Sequence, residues 1–155
     1  MEYAFGALAQ GVFANPTDLS LLAYRGEELG FETMWVNDHI LMPLSINSSY
    51  PYTDSGQFNE FGNKGDYLEQ LTVLSFLAAR TSRINLLTSV MVVPYRDPVL
   101  TAKILATVDV LSEGRVIVGC GAGWMREEFQ VLDRPPFEKR GAVTDEYIRI
   151  FQDLW

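Results

Sequence analysis

"INLLTSVMVVPYRDPVLTAKILATVDVLSEGRVIVGCGAG", residues 84–123, holds a complete strand–helix–strand unit. Ile84 to Val93 is a continuous β-rich run, the pattern of a strand buried on both faces. Asp97-Pro98 offers an N-cap followed by proline at the first helical position. Leu100, Ile104, Val108 and Leu111 then recur at helical spacing, and Gly114 is placed to close the helix. Arg115 to Gly119 reads as the next strand.

The same alternation extends in both directions. Tyr3 to Phe13 is a plausible first strand, and Asn15-Pro16 repeats the cap-plus-proline start. Leu19, Leu22, Ala23, Gly26 and Leu29 mark a helical face, with Gly30 as its C-terminal cap. Thr33 to Asn37 is a short second strand. After a long irregular segment, Asp66 can cap a helix carrying Leu68, Leu71, Leu74 and Ala78. A short helix starts near Trp124, and a last one follows Arg140 with Val143, Tyr147, Ile150 and Leu154 on one side. The order βαβαβαβα predicts an α/β fold, a parallel sheet covered by helices. Right-handed crossovers gather the strands' C-terminal ends on one side. "NDHI" (37–40), "TSVM" (88–91) and "GCGAGW" (119–124) then converge there.

Four βα units are half of the eight in a (β/α)8 TIM-type barrel. The chain, residues 1–155, ends inside an amphipathic helix, so the expectation is the N-terminal half of such a barrel. A complete four-stranded doubly wound sheet is the rival. The segment from about 39 to 65 is too long for an ordinary connection and carries Tyr50, Tyr52, Phe58 and Phe61. A lid or binding loop is expected of it.

Composition bounds the function. The chain has 48% apolar residues and a net charge of −8. That balance argues against nucleic acid and anionic membrane surfaces, which need basic patches. No apolar run is long enough to span a bilayer, and no signal peptide is evident, so a cytoplasmic location is expected. A single cysteine, Cys120, forbids an intrachain disulfide, and a single histidine, His39, excludes a multi-histidine metal site.

Gly119, Gly121 and Gly123 are spaced G-x-G-x-G. The dinucleotide fingerprint is G-x-G-x-x-G and normally follows the first strand, not the fourth. Two readings are left open by the spacing. The absent side chains either admit a flat ligand ring or let neighbouring backbone pack closely.

"PYRDPVLTAKILATVDVLSEGRVIVGCGAGWMREEF" (94–129), "LAYRGEELGFETMWVNDHI" (22–40) and "FEKRGAVTDEYIRIFQDLW" (137–155) closely resemble the bacterial luciferase-like flavin and deazaflavin oxidoreductases. "SSYPYTDSGQF" (48–58) looks like a branch dependent on the deazaflavin coenzyme F-420. The resemblance implies a (β/α)8 barrel with the coenzyme ring across the strand ends. It implies hydride transfer between F-420 and a small organic substrate, or alternatively an FMN-dependent monooxygenase using reduced flavin and oxygen. A homo-oligomer is expected of the full protein. A non-catalytic barrel half serving as an interaction domain is the reading from a different class. On the barrel reading the 155-residue chain alone is expected to bind coenzyme poorly and to be inactive.

The resemblance also assigns residues. It places a bulge with a non-proline cis peptide at Ser89-Val90, with Ser89, Val90 and Met91 backing the ring. Gly119, Gly121 and Gly123 would give it room, and Trp124 would form an apolar wall or, alternatively, only pack in the core. Some F-420-dependent dehydrogenases carry an acidic glutamate where Trp124 stands, so that role does not transfer. His39 would donate or accept the substrate proton, or alternatively only orient the loop. Asp38 would orient His39, bond the ring's polar edge or cap the loop. Arg96 is expected to be a solvated charge, with contact to an anionic coenzyme as the alternative, Cys120 a packing residue, and Glu127 and Glu128 exposed helix positions.

Overall fold

The computed structural model describes residues 1–7, 9–58 and 67–155. Strands β1 (Ala4–Gly6), β2 (Thr33–Val36), β3 (Asn85–Val92) and β4 (Val116–Gly121) form one sheet in the order β1-β2-β3-β4. Every neighbouring pair is parallel. Helices α1 (Pro16–Glu28), α2 (Gln70–Ala78) and α3 (Pro98–Leu111) connect the strands, and α4 (Arg126–Val131) and α5 (Arg140–Leu154) follow β4. The strand order decides between the two rival folds. A doubly wound sheet reverses its order and carries helices on both faces. Here the order follows the chain, so right-handed crossovers place the connecting helices on one face, as in half of a (β/α)8 barrel.

The helix starts obey local chemistry. The Asp18 N–H donates to Asn15 Oδ1 at 3.0 Å, and the Leu100 N–H donates to Asp97 Oδ1 at 2.9 Å, each ahead of a proline. Gly30 (φ 81°) and Gly114 (φ 82°) take the left-handed conformation that turns the chain out of α1 and α3. Helix α2 is capped by Glu69, which accepts the Thr72 N–H at 2.7 Å. The expected cap, Asp66, lies outside the described residues, as does Phe61.

The core lies between sheet and helices, where Met34, Val36, Leu74, Leu77, Leu86 and Leu105 are buried. Each such side chain contributes about 1.5–3 kcal/mol when removed from water. Helix α3 buries a face that overlaps the expected one only in part: Val108 is buried and Ile104 packs against the core, but Leu100 and Leu111 do not. Thr101, Ala102, Leu105 and Val108 point inward, while Leu100 and Leu111 are 59% and 66% exposed. With Val99 and Val110 also apolar and exposed, α3 is apolar on several sides, and periodicity alone cannot choose among them. Leu29 and Leu154 are likewise exposed, and Phe151 takes the buried place near the end of α5. Strand β1 stops at Gly6, shorter than the expected run to Phe13, because residues 11–13 form a 3-10 turn.

Strand β3 carries one extra residue. Thr88 pairs with Val118 and Met91 with Cys120, so three steps along β3 match two along β4. The Ser89–Val90 peptide inside this bulge is cis. Ser89 and Val90 are exposed, so β3 is not buried on both faces throughout as the apolar run implies. Gly119 lies against the bulge. A Cβ on it would collide with the Thr88 carbonyl oxygen, and the Thr88 hydroxyl donates to the Gly119 carbonyl at 2.9 Å. Gly119→Ala is therefore expected to destabilise the fold by about 1–3 kcal/mol in urea unfolding, since backbone must move to admit the methyl. Gly141→Ala, on α5 where a Cβ meets nothing, serves as the control and should be neutral or stabilising by up to about 1 kcal/mol.

Candidate active site

A cleft of about 1020 Å³ opens at the C-terminal ends of the strands. Strand β2 delivers Asn37, Asp38 and His39 to it, the β3 bulge delivers Ser89 and Val90, and the turn after β4 delivers Gly121 to Trp124. The three segments meet because parallel strands with one-handed crossovers all end on the same side. Met91 is fully buried in the core, and Gly119 packs on Thr88. Neither is among the cleft's lining residues. At Gly121 and Gly123 a Cβ would meet Val90 and Val92, respectively, and Gly123 also has φ 81°. Close packing against the bulge therefore accounts for the glycines first, and room for a ligand second.

Glu128 stands behind His39, in contact with the site but not among the cleft's lining residues. It is completely buried, against the expectation of an exposed helix position. Its Oε2 lies 2.9 Å from His39 Nδ1 and accepts the Tyr95 hydroxyl at 2.7 Å. Its Oε1 accepts the backbone N–H of Ile40 at 3.0 Å and of Leu41 at 3.4 Å. Burial, and then the charge of this carboxylate, push the Tyr95 phenol well above its ordinary pKa. Tyr95 thus stays protonated and donates. The His39 ring is flanked by Phe58 and Tyr67, with centroids at 5.6 and 5.3 Å.

Asp38 does not reach for His39. Its carboxylate takes both terminal nitrogens of Arg96 at 2.7 Å and the Val92 N–H at 2.8 Å. Arg96 also donates to Glu69 Oε1 at 2.8 Å. Arg96 is therefore a paired, largely buried cation, not the solvated charge expected of it. Burial alone would lower its pKa, and its bonds to Asp38 and Glu69 outweigh that and raise it. The trio ties the end of β2 to the end of β3 and to the cap of α2.

The segment after β2 folds back over the cleft. Tyr50 contacts Phe58 at 4.8 Å and Trp124 at 5.0 Å, and Phe58 contacts Trp124 at 5.0 Å. Glu127 fastens this wall, accepting the N–H groups of Asn47 (2.7 Å) and Ser48 (3.0 Å) and the Ser48 hydroxyl (2.7 Å). Slight burial would raise the Glu127 pKa, but these bonds outweigh it and lower it. Glu127→Ala is expected to speed amide hydrogen exchange at Asn47 and Ser48 by about 10- to 100-fold, the loss of hydrogen bonds to a charged acceptor. Exchange in α3 should be unchanged. Cys120, expected to pack, is exposed on β4.

A family model described as luciferase-like monooxygenase matches residues 4–155. The chain belongs to the luciferase-like monooxygenase family. Among curated luciferase-like relatives, it is 34% identical over 144 residues to an F-420-dependent glucose-6-phosphate dehydrogenase of Amycolatopsis mediterranei. That match covers 91% of this chain and 38% of the relative, so the chain spans less than half of that protein's length. A crystal structure of a monooxygenase from Streptomyces bottropensis superposes with a TM-score of 0.73 at 23% identity, covering 100% of this chain and 43% of that one. An F-420-dependent secondary alcohol dehydrogenase, solved with an F-420–acetone adduct, gives 0.74 at 22% identity, with 99% and 42% covered. At these identities the likeness is one of fold. No helix among the described residues is long and apolar enough to cross a membrane.

Sequence reasoning missed Glu128, Tyr95 and Arg96. One signal was present. Met125, Glu128 and Leu132 stand at spacings of three and four on and beside the short helix α4. A carboxylate in the apolar stripe of a helix needs buried donors. Nothing in the sequence says that those donors stand at positions 39–41 and 95.

Proposed function

We propose that this chain forms one half of the cleft of an F-420-dependent oxidoreductase that moves a hydride between the deazaflavin and a small organic substrate. The observation that carries the reading is the meeting of His39, the Ser89–Val90 bulge and the Gly121–Trp124 turn around one cleft. The bulge fits a flat ring system. Val90 keeps 45% of its surface open in a strand, and Gly121 beside it brings no side chain. Ser89 and Val90 would back the ring, and Gly121 and Gly123 would border it. The amides of Asn37 and Gln10, bonded to each other at 3.0 Å, stand at the same cleft as polar partners.

The coenzyme, when bound, supplies the hydride chemistry. The chain's own residues supply position and a proton. His39 exchanges a proton with the substrate oxygen, which general acid–base catalysis rewards with about 10²–10⁴ in rate. The wall of Tyr50, Phe58 and Trp124 keeps water from that exchange. Trp124 brings no acid, so the proton duty falls on His39. The relative named for F-420 supports the coenzyme assignment. Its sugar-phosphate substrate is not carried over, because the position of the acid is aromatic here.

Titrating the intact protein with F-420 and with FMN tests the proposal. A saturable spectral change with F-420 is the expected result. A saturable change with FMN alone would replace it by the FMN-dependent monooxygenase. No change with either would favour a barrel half without catalysis.

A further inference from the structure

We propose that Glu128 is the positioning residue that fixes His39 in the Nδ1–H tautomer, so that Nε2 is the atom that takes up the substrate's hydroxyl proton. The inference deepens the reading of His39 given above and rests on it only for the identity of the group that exchanges the proton. Among the described residues, three groups other than His39 bond Glu128, and all three are donors. The N–H groups of Ile40 and Leu41 can do nothing else, and Tyr95 is held in its protonated form. Carboxyl oxygens that already accept from three donors have only lone pairs to offer a fourth partner. The imidazole nitrogen 2.9 Å from Oε2 must therefore carry the proton. In a neutral ring the other nitrogen then holds the lone pair.

The ring cannot turn away from this arrangement cheaply. Phe58 and Tyr67 flank it, at interplanar angles of 45° and 78°. The backbone of the two residues after His39 is held by the same carboxylate that holds the ring. One side chain thus sets the tautomer, the ring orientation and the path of the chain beside it.

The step that follows is a single proton transfer. The substrate O–H breaks, its electron pair stays on oxygen, and the proton goes to the Nε2 lone pair. His39 becomes an imidazolium with Glu128 as its counter-charge. Reversal returns the same proton. The arrangement of an acidic residue on the nitrogen remote from the substrate is the logic by which a buried carboxylate orients a histidine in hydrolytic triads. The carboxylate here comes from the helix after β4.

The experiment is nitrogen NMR of the intact protein with its histidine rings labelled with nitrogen-15. Signals that vanish in His39→Gln belong to His39. A pyrrole-like Nδ1 and a pyridine-like Nε2 in the neutral ring are the expected result. Glu128→Gln, whose amide can donate as well as accept, should convert the ring to a mixture of tautomers or to the Nε2–H form. Tyr95→Phe removes a different partner of the same carboxylate and should leave the tautomer as it is. In turnover, Glu128→Gln is expected to lower kcat by roughly 10²- to 10⁴-fold, with coenzyme affinity changed less than about threefold. An Nε2–H tautomer in the unmodified protein, or a tautomer indifferent to Glu128→Gln, overturns the proposal. These readings need no coenzyme. A protein that binds neither F-420 nor FMN but shows the Nδ1–H lock refutes the function and leaves Glu128's role standing.

Discussion

His39→Gln is expected to lower kcat of the intact enzyme by about 10²–10⁴-fold while coenzyme binding changes less than about threefold. Glutamine is close in reach to histidine and keeps a polar end, but it cannot take up and return a proton. The surroundings should survive the change. Glu128 keeps three donors, from Ile40, Leu41 and Tyr95, so no buried charge is stranded. Tyr50, Phe58 and Trp124 keep their contacts with one another, although Phe58 loses the imidazole beside it. Coenzyme affinity from a spectral titration and kcat from steady-state turnover measure the two quantities separately. A parallel loss in both would mean that His39 shapes the cleft and does not exchange the proton. Partial restoration of turnover in His39→Ala by added imidazole would tie the loss to proton exchange.

The parts of this molecule that were legible in the sequence are those decided within a few residues. Asn15-Pro16 and Asp97-Pro98 cap the helices they precede, because a cap needs only a side-chain oxygen and an N–H three positions on. Gly30 and Gly114 take positive φ because the turn demands it. Alternation together with the crossover rule makes the strands parallel, but the order that separates a barrel half from a doubly wound sheet is a long-range property. The site is decided at long range. Glu128 meets residues 39–41 and 95, and Arg96 meets Asp38 and Glu69. Burial of a charge is bought by partners that folding brings from other strands, and no periodicity records where they come from. Glycine readings divide in the same way. The positive φ of Gly114 has a local cause. The need for glycine at 119 comes from a bulge on the neighbouring strand.

Arg96→Met is expected to cost about 3–5 kcal/mol, the penalty for breaking one side of a buried ion pair. Methionine fills similar volume without a donor. Asp38, whose side chain is entirely buried, would be left with the Val92 N–H as its named partner. For a chain of this size such a loss lowers Tm by roughly 10 °C or more. Arg96→Lys keeps the charge but loses the two-pronged contact, and should fall between. The effect reaches the cleft, because Asp38 adjoins His39 and Val92 lies two residues beyond the bulge. The network therefore sets the spacing of two rims of the site, and turnover should fall even where the variant is fully folded. The pH dependence gives an independent sign. Burial would raise the Glu69 pKa, but bonds from Thr72 and Arg96 outweigh it and hold it below its ordinary 4.5. A carboxyl lowered on folding stabilises above its ordinary value, and that stabilisation is lost as pH falls through the folded value. Arg96→Met has lost the arginine's share already. The stability gap between the two proteins should thus be full near neutrality and narrow as pH drops below 4.5. A gap that stays constant into that acid range would mean that the Arg96–Glu69 bond adds nothing to it.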